Sequence, residues 1–313
     1  MKKIYTQEQL AEVVKLHDGG MSFPHIAEEL NRKYKFGKSG DAMRAAYRRA
    51  TKAEQKVRKK TRPAKKLLPK FEDINRRVDT RNDRILFISD MHIPFHHPDT
   101  FAFLAALKKK YKPTRVVCVG DEIDAQSLSF HDSDPDLPSA GDELQKAIKY
   151  LQVLYKTFPV VDIVDSNHGS MIYRKGKHHG IPRKYLRDYG EVLEAPKGWI
   201  WSHDLTIALP DGNDLYVHHS VSKNVLKVVN QRGTCYIHGH HHCDATIQYS
   251  GNPRNLLWGM AVGCSINKKA LAFAYDKNNL ARPIISHGMV IDSHPRLMPM
   301  VLNEDGRWNG FVP

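Results

Sequence analysis

Two periodicities divide the chain into a short first part and a long second part. Up to about residue 53, apolar residues recur every three or four positions, which is the spacing of one helix face. From residue 84 onward, continuous apolar runs alternate with helical stretches, and such runs are typical of strands covered on both faces. We therefore predict a small all-α domain over residues 1–53 and a layered α/β domain over residues 83–313.

Three short helices are predicted within residues 6–53. Thr6, Ser22 and Ser39 stand where helix N-caps are expected, and Pro24 falls in the first turn of the second helix. The outer face of the third helix is cationic, because it carries Arg44, Arg48, Arg49 and Lys52. The predicted inner faces share apolar or aromatic side chains: Leu10, Val13, Val14, His17, Ile26, Ala27, Leu30, Met43, Ala46, Tyr47 and Ala50.

In the second part of the chain, sequence patterns typical of strands alternate with patterns typical of helices. Two helical stretches, around Leu104 and around Leu151, separate the first three apolar runs. Because alternation of this kind is typical of layered α/β folds, we expect strands in the middle and helices outside. The runs predicted as strands are residues 85–88, 116–119, 160–164, 205–209, 215–218, 235–238 and 256–262.

Positive charge is concentrated at the beginning of the chain. The 313 residues carry a formal net charge of +14. Residues 1–70 hold 19 Lys and Arg against 7 Asp and Glu, whereas the remaining 243 residues hold 29 against 27. A cationic end suits nucleic-acid binding. Residues 54–82, which include Lys59 and Lys60, are predicted to be a basic linker that lies along phosphates, with a merely solvated spacer as the alternative.

No apolar run reaches the roughly 20 residues that a membrane-spanning helix needs, and the first residues lack an apolar segment. The four cysteines are scattered, and Cys118 and Cys264 sit in apolar runs, so we expect buried thiols. These features favour a cytoplasmic protein in a reducing compartment, without a membrane partner.

Acids, amides and imidazoles follow five of the predicted strands. Because the carboxyl ends of strands are where α/β sheets place their sites, we expect these side chains to converge. Oxygen and nitrogen donors without a thiolate suit manganese, iron or zinc. The five segments are Asp90-Met91-His92, Gly120 to Asp124, Ser166 to Gly169, His218-His219 and His238 to His242.

In this order, the five segments resemble the motifs of the calcineurin-like metallophosphoesterases, over roughly residues 84–290. The family shows D-x-H, G-D-x-x-D, G-N-H-[DE], a single His after a strand, and G-H-x-H. The resemblance implies a four-layer sandwich of mixed sheets flanked by helices, with two divalent metal ions. Manganese is favoured for both, with iron, zinc and magnesium as alternatives. The chain departs from the family at Ser166, where Gly is usual, and at Gly169, where an acid is usual.

The resemblance also implies a role for each matching residue. Asp121 would bridge two ions close enough to repel each other, and the water between them would be acidic enough to attack phosphorus as hydroxide. His168 would protonate the leaving oxygen as a general acid, and Asp124, behind the ligands, would orient one of them or the following loop. His218 is preferred over His219 as the ligand from its segment. The implied ligands are Asp90, His92 and His242 at one ion, and Asn167, His218 and His240 at the other, with Asp121 shared.

Residues 21–30 resemble the second helix of Myb-like and homeodomain-like helix-turn-helix modules. That resemblance implies DNA binding, with the basic third helix in the major groove. A three-helix bundle that docks a protein, or that caps the catalytic domain, is the alternative.

The preferred hypothesis is a metal-dependent DNA endonuclease that nicks one strand at sites chosen by the N-terminal module. Its organisation resembles that of phage-encoded nucleases. A basic loop with Arg174, Lys175 and Lys177 follows His168 and would clamp the phosphate backbone, unless it is an ordinary surface loop. Two alternatives stay open: a phosphatase for protein or nucleotide monoesters, and a DNA-binding regulator with an inactive metal site. A monomer and a homodimer are equally compatible with the sequence.

Overall fold

The computed structural model describes residues 5–35, 37–61, 75–78, 83–129, 136–253, 255–270 and 282–313, with the backbone alone for 51–61 and 75–78. The chain forms two compact units, Met1–Leu68 and Pro69–Pro313.

Three helices are found in the described part of the first unit. They are α1 (Gln7–Asp18), α2 (Phe23–Tyr34) and α3 (Gly40–Thr61). The Thr6 side chain caps α1 by accepting a hydrogen bond from the Gln9 backbone amide. The fully buried core of the unit is formed by predicted inner-face residues: Val13, Ile26, Ala27, Leu30, Met43 and Ala46.

Helix α3 continues eight residues beyond the predicted end of the module at residue 53. Residues 54–61 are rich in Glu, Gln, Lys and Arg, which are good helix formers, so the helix does not need a packed face to continue. The predicted linker 54–82 therefore begins inside a helix, and its residues 75–78 form a strand. Residues 62–74 and 79–82, and the side chains of Lys52, Lys59 and Lys60, lie outside the described residues.

The second unit is built on two six-stranded mixed sheets, counted over the described residues. The strands of one are β2 (Arg84–Ile88), β3 (Arg115–Cys118), β4 (Val161–Val164), β5 (Trp199–Ser202), β11 (Ser286–Ile291) and β12 (His294–Pro299). Those of the other are β1 (Asn75–Val78), β6 (Asp204–Ala208), β7 (Asp214–Val217), β8 (Cys235–His238), β9 (Ala245–Gly251) and β10 (Leu256–Val262).

Parallel pairing dominates the centre of each sheet. Strands β2, β3, β4 and β5 run parallel in that order, and β11 and β12 extend that sheet with antiparallel pairs. In the other sheet, β7, β8 and β10 are parallel neighbours, while β6 and β9 pair antiparallel with β7 and β10. The carboxyl ends of β2, β3 and β4 therefore lie at one edge of their sheet, and those of β7 and β8 lie at one edge of the other.

Helices cover the outer faces of both sheets. Phe87 and Val117 meet Val217 and Ile237 in one apolar core between the sheets. On the far side of the first sheet, Leu86 and its neighbours pack under α4 (Thr100–Tyr111) and α5 (Ala140–Thr157), while α8 (Val225–Arg232) covers the second sheet. This arrangement confirms the predicted α/β sandwich of four layers. Among the described residues, every helix is too short or too polar to span a lipid bilayer.

The predicted basic loop after His168 is a helix. Residues Met171–His178 form α6, which carries Arg174, Lys175 and Lys177. The expectation of a loop was wrong because Gly176 does not interrupt the helix: it is buried, and a Cβ there would lie 3.1 Å from Leu186 Cδ1. A two-stage connection follows, a 3₁₀ turn (Arg183–Tyr185) and the one-turn helix α7 (Tyr189–Val192).

Candidate metal centre

Acids, an amide and imidazoles, buried or half-buried, converge at the carboxyl ends of five strands, three from one sheet and two from the other. Asp90 and His92 follow β2, Asp121 follows β3, and Asn167 and His168 follow β4. From the other sheet, His219 follows β7, and His240 and His242 follow β8. The two sheets thus deliver side chains to one place, as the sequence predicted from the ends of its apolar runs.

One group of donors consists of Asp90, His92, Asp121 and His242, whose ligand atoms all lie within 4.8 Å of one another. The Nε2 atoms of His92 and His242 face each other at 3.0 Å, and His242 Nε2 lies 3.2 Å from Asp90 Oδ1. Two imidazole nitrogens in this position share either a proton or a cation, so the group fits a metal ion.

A second group is formed by Asp121, His219 and His240, again within 4.8 Å. Asn167 Oδ1 completes it, at 2.8 Å from His219 Nε2 and 3.1 Å from His240 Nδ1. Asp121 belongs to both groups. A carboxylate shared in this way is what two neighbouring dications need to offset their repulsion.

The side chain of Asp121 shows that the cluster fits cations. Its Oδ1 accepts the backbone N–H of His168 at 3.2 Å. Its Oδ2 is buried, and no donor within the described residues meets it with hydrogen-bond geometry, although His219 Nε2 and His92 Nε2 lie at 3.2 and 3.6 Å. A buried anionic oxygen without a hydrogen bond is costly, and bound metal would remove that cost.

The electrostatics of the cluster also favour bound positive charge. Burial by itself would raise the pKa of Asp121, but the charge of His219 holds that pKa well below its usual value. Burial opposes a charge on His219, yet the Asp121 carboxylate raises the pKa of His219 to about 9. The carboxylates therefore stay ionised and hold cationic partners next to them.

Asp124 fixes the orientation of two imidazoles. Its Oδ1 accepts from Nδ1–H of His92 at 2.5 Å, so the lone pair of His92 Nε2 faces the cluster. A carboxylate behind a ligating histidine sets its tautomer and its basicity. Nδ1–H of His168 donates to the backbone carbonyl of Asp124. The His168 ring is thus oriented by a backbone carbonyl, while residue 169 is Gly.

His168 borders both donor groups and belongs to a third candidate group with His92 and Asp124, where its Nδ1 is already hydrogen-bonded to the Asp124 carbonyl. Its Nε2 lies 4.0 Å from Asp121 Oδ2, and its side chain is 21% exposed, so a substrate can reach it. Since Nδ1 is held by Asp124, Nε2 is the nitrogen that faces a substrate. This geometry leaves His168 Nε2 available for a proton transfer or a further contact.

Left-handed backbone places several of these side chains. Asp90, His92, Asp121 and His240 have φ values of 46°, 48°, 50° and 66°. Residues other than glycine adopt this region at a cost, and they persist there where the surrounding structure imposes it. The chain turns sharply after β2, β3 and β8, and these turns direct the donors into the cluster.

The structure corrects the choice between His218 and His219. His218 is absent from the cluster: its Nδ1 accepts from Ser220 N–H at 3.0 Å, and its ring packs against those of His203 and Tyr216. His219 takes the predicted place, with Nδ1–H donating to the Val119 carbonyl at 2.9 Å and Nε2 directed at Asn167.

The basic residues predicted to contact DNA have different surroundings. Arg44, Arg48 and Arg49 are exposed on α3. Arg174 reaches the cluster's surroundings, since its Nη1 donates to the Asn167 carbonyl at 3.4 Å. Lys175 and Lys177 stand further along α6.

No protein-family model and no curated protein matches this chain. Among solved structures, it is similar to Yfce, a phosphoesterase from E. coli, at 16% identity over 72% of this chain and 97% of that one, with a TM-score of 0.40. Vacuolar Protein Sorting 29 from Cryptosporidium parvum matches at 14% identity over 75% and 98%, with a TM-score of 0.39. The nuclease MPE from Pseudomonas putida matches at 12% identity over 69% and 86%, with a TM-score of 0.27. Identities and TM-scores this low identify no activity, so function has to be inferred from the site itself.

Proposed function

We propose that this chain is a metal-dependent phosphoesterase and that its substrate is a phosphodiester of DNA. The observation that carries the proposal is Asp121, a buried carboxylate that belongs to two groups of nitrogen and oxygen donors at once. Such a pair of sites is typical of enzymes that hydrolyse phosphate esters with two metal ions. When bound, the ions would lower the pKa of water and stabilise the negative charge of the phosphoryl oxygens.

The chain's own residues supply the rest of the reaction. The oxygen of water forms a bond to phosphorus as the bond between phosphorus and the leaving alcohol oxygen breaks. His168 Nε2 delivers a proton to that leaving oxygen, while the Asp124 carbonyl holds the opposite nitrogen of the ring. The attacking water gives up one proton to solvent, and solvent returns one proton to His168 Nε2, so the protons balance and the enzyme is unchanged.

DNA as substrate is supported by the distribution of charge. The cationic first 70 residues and the exposed arginines of α3 would add affinity through phosphate contacts and would choose the site. One centre per chain cuts one strand, so a monomer nicks DNA. Manganese suits the mixed oxygen and nitrogen donors, and iron, zinc and magnesium are the alternatives to compare.

The test is nicking of supercoiled plasmid by the purified chain with Mn²⁺. We expect open-circular product that is abolished by EDTA and by Asp121→Asn, and retained in Asp142→Asn, which removes an exposed carboxylate from α5. Hydrolysis of p-nitrophenyl phosphate without any nicking would favour a phosphatase instead. Plasmid binding without hydrolysis of any ester would indicate a regulator with an inactive centre.

A further inference from the structure

A cavity of about 320 Å³ opens beside His168. Its walls are almost entirely apolar and include Ile123, Leu128, Leu144 and Ala147. The volume lies within the range of pockets that bind small organic groups. None of these four residues belongs to the donor groups, so the proposed chemistry alone leaves the cavity without a role.

The position of His168 indicates which part of a substrate enters this cavity. His168 forms part of the wall, and in the proposed function its Nε2 delivers a proton to the leaving oxygen. The group attached to that oxygen therefore lies next to the apolar wall. Because an apolar wall offers few hydrogen bonds to water, a substrate group with a large apolar face is favoured there.

A second cavity, of about 860 Å³, adjoins the first and has a different character. The two share Gly169, Ile172, Leu186, Arg187 and Tyr189 as lining residues. Arg174 and Arg183 also line the second cavity, and the Arg183 guanidinium lies 5.5 Å from the centre of the Tyr173 ring.

Three acidic residues, Glu122, Asp165 and Asp188, line the second cavity as well, and two of them accept hydrogen bonds within the chain. Asp188 accepts from the Gly190 amide at 3.0 Å, and Glu122 accepts from Trp201 Nε1 at 3.2 Å. The guanidinium groups of Arg174, Arg183 and Arg187 line the same cavity and can meet an anionic ligand. An apolar chamber next to a chamber with guanidinium groups matches a nucleotide chain, which joins flat bases to anionic phosphates.

We propose that the apolar cavity beside His168 receives the unstacked base of the nucleotide whose oxygen leaves, while neighbouring phosphates lie in the arginine-lined cavity. This inference rests on the proposed function and adds its substrate class: DNA cut at a nucleotide that is unpaired or displaced from its stack. Fully paired DNA is then the poorer substrate, because a base has to leave the duplex first.

The decisive experiment uses the full-length wild-type chain with Mn²⁺ and a single-stranded oligonucleotide whose cut position has been mapped. An abasic residue replaces either the nucleotide on the leaving side or the one across the cut phosphate. Loss of one stacked base from a site weakens binding by about tenfold or more. We therefore expect KM to rise about tenfold for the leaving-side substitution and less than about twofold for the other.

A pair of variants tests the cavity directly. Gly141 lines it, and a Cβ there would meet only Ser139 Oγ, at 3.9 Å, so a larger side chain can be added without a backbone clash. In Gly141→Phe we expect the ratio of KM for the leaving-side abasic oligonucleotide to KM for the intact one to fall towards one. Val153→Phe, on the exposed side of the same helix, is the matched control and should keep that preference.

Equal cleavage of the intact and both abasic oligonucleotides by the wild-type chain would overturn the base-binding cavity. It would leave the proposed function standing, because the strands would still be cut. Failure of the proposed function looks different: no metal-dependent hydrolysis of any diester, including bis(p-nitrophenyl) phosphate. Faster cleavage of a perfect duplex than of the single strand would also contradict the inference.

Discussion

The backbone of Gly239 lies directly against the carboxylate of Asp90. A Cβ at this position would be 2.1 Å from Asp90 Oδ2 and 2.1 Å from Ser89 Oγ, so neither neighbour could stay in place. We expect Gly239→Ala to lower the free energy of unfolding by about 1–3 kcal/mol and metal affinity by about tenfold or more. Thermal unfolding and a titration with Mn²⁺ measure the two effects.

Gly251→Ala is the matched control, because its Cβ would meet only Leu256 Cδ1 at an ordinary 3.9 Å. Metal affinity in this variant should equal that of the wild type. If Gly239→Ala bound Mn²⁺ as tightly as Gly251→Ala, Asp90 would not be a ligand in the position described.

Two adjacent histidines, His218 and His219, should differ sharply in their effect on metal binding. His219 Nε2 faces Asn167 Oδ1 at 2.8 Å and Asp121 Oδ2 at 3.2 Å, whereas His218 packs against Tyr216 and His203. We expect His219→Ala to weaken Mn²⁺ binding by at least about tenfold, and His218→Ala to leave it unchanged. Calorimetric titration of both variants provides the comparison, and the reverse result would restore His218 as the ligand.

The sequence contained the signal that distinguishes these two residues. In β7, Leu215 and Val217 are the aliphatic positions, and side chains two residues apart share a face. The face of Leu215 and Val217 lies in the core between the sheets, so His219 continues it and His218 does not. The convergence of the donors was predictable from strand ends, whereas the positive φ values that aim Asp90 and Asp121 depend on tertiary contacts.

At the scale of elements, the carboxylate of Asp99 joins the start of α4 to the C-terminal segment. It accepts from Arg307 Nε at 2.8 Å and from the Trp308 backbone amide at 2.9 Å. The hydrogen bond from Arg307 lowers the pKa of Asp99 to about 2. We expect Asp99→Asn to reduce the free energy of unfolding by about 1–2 kcal/mol at neutral pH, a discounted value because the Arg307 side chain is 60% exposed.

The pH dependence has a definite sign. A carboxyl whose folded pKa is below its unfolded value of about 3.9 stabilises the fold above that value, and loses this effect as pH falls towards 2. The difference between wild type and Asp99→Asn, measured by urea unfolding, should therefore shrink between pH 5 and the lowest pH at which the chain still folds. Glu304→Gln, at an exposed position of the same segment, is the control. A difference that stayed constant with pH would show that the Asp99 charge is not involved.

Which elements could be predicted depends on how their residues are buried. The run 235–238 is buried at every position and was predicted with its observed bounds, as was 256–262. Strand β9 was not predicted, because it is an edge strand with mostly exposed or half-buried residues such as Tyr249. Helix α6 was predicted as a loop because the local sequence does not reveal the packing of Gly176. In the structure, Gly176 packs against Leu186, ten residues further along the chain.

For the whole molecule, the uneven charge predicts how DNA affinity responds to salt. Arg44, Arg48 and Arg49 are exposed on α3 of the cationic unit. Each phosphate contact contributes about 0.9 to the slope of log K against log salt. If these arginines bind phosphates, a triple change to Glu in the full-length chain should reduce the slope by about 2–3. Fluorescence anisotropy with duplex DNA at several salt concentrations measures it.

Reversing three cations elsewhere separates a local contact from a general effect of net charge. Lys112, Lys149 and Lys197 are exposed residues of the second unit, and their triple change to Glu alters net charge by the same amount. We expect that variant to keep most of the slope, because counterions are released only where phosphates are bound. Hydrolysis of bis(p-nitrophenyl) phosphate should be equal in both variants, since none of the six changed residues belongs to the donor groups. Equal loss of slope in both would mean that DNA is attracted by the charge of the whole chain, and that α3 selects no site.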